Sequence, residues 1–237
     1  MKNNPLFSEK MIEAEQLALR LFDEIESEGL IRANIFEKDL NQEILTLCKS
    51  LLKTDKFWHK RIVRAGENTL HPYRENPPNL KIKADDIVFI DLGPVLEAWE
   101  ADIGRTYVLG NDQDKHKISE DAKAIWNLAN EYYHSTKDIK ASELFKFCTE
   151  QASQRGWEFG GEIAGHILGA FPHENLIDLP KDVYVHSENH LAMHDLAQKI
   201  DVAWIIEIHL VDRKQKIGAF VEQLALLNPA KLNPAKI

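Results

Sequence analysis

Residues 84–110 read ADDIVFIDLGPVLEAWEADIGRTYVLG. Val88, Phe89 and Ile90 make an apolar, strand-like run that ends in Asp91, Leu92 and Gly93, and a second run from Trp99 to Leu109 carries Asp102 in its middle. Folded as a hairpin closing near Leu96 and Glu97, the stretch sets Asp91 opposite Asp102. Like charges opposed across a ladder, with Cβ atoms about 5 Å apart, repel and lose hydration, so they destabilise a sheet unless positive charge lies between them. A metal ion is the simplest remedy.

The pattern recurs in residues 203–227, AWIIEIHLVDRKQKIGAFVEQLALL. Strand-like runs from Ala203 to Val211 and from Ile217 to Leu227 flank the polar turn Asp212 to Lys216, and a turn centred near Lys214 and Gln215 places Glu207 opposite Glu222. A bulge at Gly93, Pro94 or Gly218 would shift either register by one residue and turn a carboxylate to the other face. Four carboxylates and the imidazole of His166 make a ligand set for two hard or borderline divalent ions, manganese, cobalt, iron or zinc, with manganese put first. Arg105 is the competing counter-ion for a metal-free salt-bridge core, but one arginine cannot neutralise four acids.

Taken together, IVFIDLG (87–93), EADIGRTYVLG (100–110), GHILGAFPHE (165–174), WIIEIH (204–209) and GAFVEQ (218–223) closely resemble the metallopeptidase family of methionine aminopeptidase, aminopeptidase P, prolidase and creatinase. The five acid and imidazole positions fall in that family's order, and the resemblance runs from about Phe57 to Leu227. It implies an α+β pita-bread fold: a curved antiparallel sheet, helices on its outer face, and two pseudo-symmetric halves. It also implies roles. Asp91 would chelate one ion, Asp102 and Glu222 would bridge both, and His166 and Glu207 would complete the second site. His173 matches a substrate-holding histidine of the family, and His71, in NTLHPY, matches another with a few extra residues before Asp91. The implied reaction is exopeptidase hydrolysis of the N-terminal bond of a short peptide by water activated at two metals, with Glu207 or a neighbouring acid passing the proton to the departing amine.

Two residues depart from the family pattern. Ile167 follows His166 where a glycine is usual, and Ile208 follows Glu207 where a proline is usual. Both put substrate preference, or turnover itself, in question. The alternatives to an exopeptidase are therefore a catalytically silent binding module on the same scaffold, and creatinase-like hydrolysis of a non-peptide C–N bond. The gap from Glu207 to Glu222 is short, as in the proline-specific branch, whereas the overall size is closer to a bacterial methionine aminopeptidase.

Other histidines read more plainly. In FWHKRIVR (57–64), taken as the first strand, Trp58 and His59 are expected to pack rather than ligate. His209 is expected in a solvent or packing role. The string HSENHLAMH spaces His186, His190 and His194 four apart, but it lacks the zinc-protease pattern and reads as a polar loop.

The formal net charge of −9 over 237 residues argues against sequence-independent nucleic-acid binding, which needs a basic stripe. MKNNPLFSEK has no apolar signal region and no stretch approaches a membrane span. Cys48 and Cys148, without CxxC spacing, read as reduced thiols of a cytoplasmic protein. The expected partner is a short peptide, with a homodimer as a family-level expectation. A helix capped by Ser8 and reaching about Gly29, and a second over Glu37 to Leu52, form an N-terminal helical segment (1–55) packed on a catalytic domain (56–227). Helices are also expected from Ser119 to Tyr133 and from Ala141 to Arg155, the latter with Ser142 near its start. The repeat LNPAK, at 227–231 and 232–236, reads as a tail (228–237).

Overall fold

The computed structural model describes residues 5–173 and 183–226; the LNPAK tail lies outside them. Two helices, α1 (Pro5–Ser27) and α2 (Glu37–Leu52), precede strands β1 (Ile62–Ala65) and β2 (Ile87–Leu92). A small hairpin of β3 (Val95–Leu96) and β4 (Trp99–Glu100) leads into β5 (Ile103–Val108). The second half repeats the order, with helices α3 (Gln113–Ser135) and α4 (Ala141–Gln154) before β6 (Glu158–Phe159) and β7 (Gly165–Leu168). A short helix α5 (Met193–Lys199) then precedes the hairpin β8 (Ala203–Asp212) and β9 (Ile217–Leu224).

The main sheet is antiparallel, in the order β1-β2-β5-β9-β8-β6, with β7 also paired to β8. Its two hairpins meet where β5 pairs with β9, at Gly104 opposite Glu222. Side chains alternate across a strand, and the sequence uses that alternation to separate chemistry from packing. Val88, Ile90, Leu92 and Ile103 bury against α1 and α2, and Trp204, Ile206, Ile208, Leu210, Ala219 and Val221 bury with α3 and α4. The residues between them, Asp91, Glu207 and Glu222, project from the other face.

Registers agree with the sequence in one hairpin and correct it in the other. Glu207 stands opposite Glu222. Asp91, however, pairs with Gly104, because the turn is Glu97–Ala98, with Glu97 at a φ of 56°, rather than Leu96–Glu97. The slip is two residues, an even number, so both acids keep their face and meet diagonally.

Helix starts also differ from the sequence reading. The α1 helix already runs from Pro5, so Ser8 lies inside it. Asp112 caps α3, its carboxylate accepting from the amides of Asp114 and Lys115, seven residues before Ser119, the start expected from the sequence. The α4 helix, by contrast, starts at Ala141 as expected, with Ser142 its second residue, and the Glu143 carboxylate accepts from the Lys140 amide. The first strand begins at Ile62, not Phe57; Phe57 instead bridges Pro94.

Within α1, Glu15 is buried under the sheet, accepting from the Leu224 amide through Oε1 (3.1 Å) while Oε2 has no partner. Burial pushes its carboxyl from 4.5 up to about 8, with Asp102 adding to the shift. A folded-state pKa above the unfolded one means the folded protein holds the extra proton. The stability from Glu15 is thus fully present below pH 4.5 and is lost as pH rises through 8. Glu15→Gln, which cannot ionise, is expected to flatten this loss, gaining on the order of 3 kcal/mol at pH 7 in denaturant unfolding and almost nothing at pH 4. An equal change at both pH values would contradict it.

Candidate metal centre

Asp91 leaves the end of β2, Asp102 immediately precedes β5, Glu222 lies in β9 at the seam, and His166 lies in β7. Gly165 makes the last placement possible. Its φ is +143°, and a Cβ there would stand 2.0 Å from the Ile205 carbonyl oxygen, so only glycine lets β7 lie close enough to bring His166 to the seam. His166 Nε2 lies 3.3 Å from Asp102 Oδ2 and 3.3 Å from Glu222 Oε1, and its Nδ1 faces the Ile167 carbonyl at 3.0 Å.

A sixth group joins them. His59 Nε2 lies 3.0 Å from Asp102 Oδ1 and 3.4 Å from Asp91 Oδ1, and its Nδ1 faces the Lys60 carbonyl at 2.8 Å. The cluster thus contains two triads sharing Asp102: His59, Asp91 and Asp102, and Asp102, His166 and Glu222, the donor atoms of each lying within 4.8 Å of one another. Glu207, partly exposed, adjoins Glu222 across the ladder.

The expectation that His59 only packs is therefore corrected, and the reason is tertiary. The segment around it runs beside β3, with the Trp58 amide donating to the Gly93 carbonyl at 2.9 Å. A Cβ on Gly93 would lie 2.3 Å from the His59 ring and 2.4 Å from Trp58 Nε1, so that glycine is what admits both rings. Trp58 in turn donates to the Ala101 carbonyl (3.1 Å) and stands edge-on to His59, His166 and His173, with ring centroids 4.4, 5.4 and 5.4 Å away. The sequence signal was the pairing of a histidine with a glycine at the end of the ligand strand.

The charges are strained without a cation. Burial pushes Asp91 up to about 7 and Glu222 up to about 8, the latter also against Asp102. Burial, with Glu222 close by, raises Glu207 well above its usual range. Burial would raise Asp102 as well, but His59 and His166 more than offset it and hold it low. Burial disfavours charge on His59, yet Asp102 and Asp91 prevail and lift it to about 10. Two imidazolium groups cannot balance four ionised carboxylates, and the buried Asp91 Oδ1 accepts no hydrogen bond. An orphaned carboxylate oxygen among oxygen and imidazole donors fits divalent ions.

The remaining expected residues separate. His173 is buried, with Nδ1 held by Glu100 Oε2 at 2.6 Å and its amide donating to Glu100 Oε1. His71 lies outside both triads, 37% exposed and paired with Glu75. Arg105 turns away to Glu26 and Asp23 of α1, which removes it as the internal counter-ion. His209 is buried and bonded to the Thr69 carbonyl. His190 meets Ser142, His194 meets the Tyr133 carbonyl, and His186 accepts from the Glu188 amide. Ile167 and Ile208 are buried in the cluster under α3 and α4, on the face opposite the acids.

Comparison with known proteins identifies the family of this chain. The profile of metallopeptidase family M24 matches residues 9–226, and the chain belongs to that family. It is 26% identical over 185 residues to a methionine aminopeptidase of Methanocaldococcus jannaschii, a match covering 71% of this chain and 61% of that one. A dipeptidase from Pyrococcus horikoshii matches with a TM-score of 0.73 and 26% identity, over 94% of this chain and 57% of that one. A methionine aminopeptidase from Rickettsia prowazekii matches with a TM-score of 0.67 and 16% identity, over 92% of each chain. The fold is the pita-bread fold, and the chain spans less than two thirds of the length of the first two relatives. Among the described residues, no helix is long and apolar enough to cross a membrane.

Cation binding is expected to stabilise the protein. Free manganese or cobalt at 100 times its Kd adds about 2.7 kcal/mol to the folded state, seen as a rise in Tm that a chelator reverses. Asp102→Ala, which removes the acid common to both triads, is expected to abolish the rise; a midpoint indifferent to metal would mark the cluster as a salt-bridge core.

Proposed function

We propose that this chain is a metal-dependent exopeptidase, an aminopeptidase or dipeptidase, that hydrolyses the N-terminal bond of short peptides at two divalent ions held by Asp91, Asp102, His166, Glu207 and Glu222. The observation that carries the reading is the convergence of these groups on one sheet face, where Asp91 Oδ1 accepts no hydrogen bond. Bound ions supply Lewis acidity, polarising the scissile carbonyl and lowering the pKa of the attacking water. Family membership supports the same reaction class.

The chain's own residues then divide the work. Glu207 is the most exposed of the four acids, which suits a group that takes a proton and hands it to the departing amine. Glu100 fixes His173 through Nδ1, so Nε2 is left to meet the substrate, accepting a hydrogen bond as neutral imidazole and donating one to an oxygen as imidazolium. His71, on a more exposed segment, is kept as a second substrate-holding candidate. Trp58 walls the centre against solvent beside all three imidazoles. The residues that favoured a silent binding module, Ile167 and Ile208, face the apolar core, which weakens that alternative.

The relatives are a methionine aminopeptidase and a dipeptidase, so the first substrates to offer are Met-initiated peptides, Xaa-Pro dipeptides and Xaa-Pro-Xaa tripeptides. With added manganese or cobalt, release of the N-terminal residue is expected from one of these classes. Loss of a substrate-holding imidazole in His173→Ala is expected to lower kcat/KM roughly 100-fold, and Asp102→Ala or Glu222→Ala to abolish turnover. Metal-loaded protein that cleaves no member of the panel would favour the binding module.

A further inference from the structure

His59 is the member of the cluster for which the five-ligand pattern has no place. Its imidazole is nearly buried, 6% exposed, and is anchored in the same way as that of His166. In each ring Nδ1 faces the carbonyl oxygen of the following residue, Lys60 at 2.8 Å or Ile167 at 3.0 Å. A carbonyl only accepts, so Nδ1 carries a proton in both rings and Nε2 is the nitrogen turned to the carboxylates. Fixing one ring nitrogen on a carbonyl is the usual means of aiming the other at a metal. One imidazole then stands at each oxygen of Asp102, His59 at Oδ1 and His166 at Oδ2. His59 also reaches Asp91 Oδ1, the oxygen with no hydrogen bond, at 3.4 Å.

We infer that His59 is a sixth protein ligand of the dinuclear centre, giving each of the two ions its own imidazole. The inference rests on the two-metal reading proposed above and adds to it. The first site becomes His59, Asp91, Asp102 and Glu222, matching in donor type the second, His166, Asp102, Glu207 and Glu222. Replacing an all-oxygen protein set by one with nitrogen moves the first site away from manganese and towards cobalt, iron or zinc, since imidazole suits those ions better. Gly93 is the enabling residue, because a side chain there would occupy the space of the His59 ring.

The full chain, stripped of metal and titrated with cobalt(II), provides the test. Binding is followed by calorimetry, and the loaded protein is observed by proton NMR, where each coordinated imidazole gives one exchangeable, strongly shifted Nδ1–H signal. Wild type is expected to bind two cobalt ions and to show two such signals. His59→Asn should lose one signal and weaken one binding step by at least the roughly 10- to 100-fold that loss of an outer-shell partner costs, leaving the other step in place. Its first site should also gain preference for manganese over zinc. Two bound ions with a single shifted signal in wild type would overturn the inference and leave the dinuclear reading intact. One bound ion in wild type, with the second restored in His59→Asn, would also overturn it, making His59 a counter-ion in place of a metal. No binding at all would overturn the two-metal reading and this inference with it. The signal count in wild type is decisive even if the variant fails to fold.

Discussion

Four carboxylates brought to one side of a sheet seam dominate the energetics of this protein. Asp91 and Asp102 come from the first hairpin, Glu207 and Glu222 from the second, and the pairing of Gly104 with Glu222 forces the two sets together. Desolvation and mutual repulsion raise three of the four acids, and the fourth is held low only by two imidazoles. Such a cluster opposes folding unless positive charge enters it. The apolar face of the same strands supplies the opposing term, through two large clusters under α1–α2 and α3–α4.

Holding the site together falls to residues outside the two triads. Gly93 admits the His59 and Trp58 rings, and Gly165 admits the β7 backbone that carries His166. In both cases a single methyl group would collide with a neighbour that cannot easily move. Glu100 plays the same part for His173, binding its ring and its amide at once. Glu15 is the cost of this packing, a carboxyl buried near Asp102 with one oxygen unpaired.

Much of this was legible in the order of residues. Strand alternation around Val88–Asp91 and Trp204–Glu207 separates core from site, and the polar turn at Asp212–Lys216 sets the register of Glu207 against Glu222 correctly. The α2 helix follows its apolar spacing from Glu37 to Leu52. Capping was read less well, because any serine before a helical pattern looks like a start, and Asp112 wins at α3 by accepting two amides at once. The two-residue slip at Asp91 came from the turn, where the conformation of Glu97 at positive φ is not written in its side chain.

Strand alternation by itself set the acids of each hairpin on a shared face, since side chains two apart point the same way; the fold class and the place of His166 beside them came from the resemblance carried by the ordered motifs. Only the tertiary structure decided that Ile167 and Ile208 face the core, that Arg105 belongs to α1, and that His59 belongs to the centre. The last follows from the contact of 57–58 with 93–94, segments far apart in sequence. A contact of that kind is set by which backbones can approach, and approach depends on the absence of a side chain at Gly93, which local pattern does not reveal.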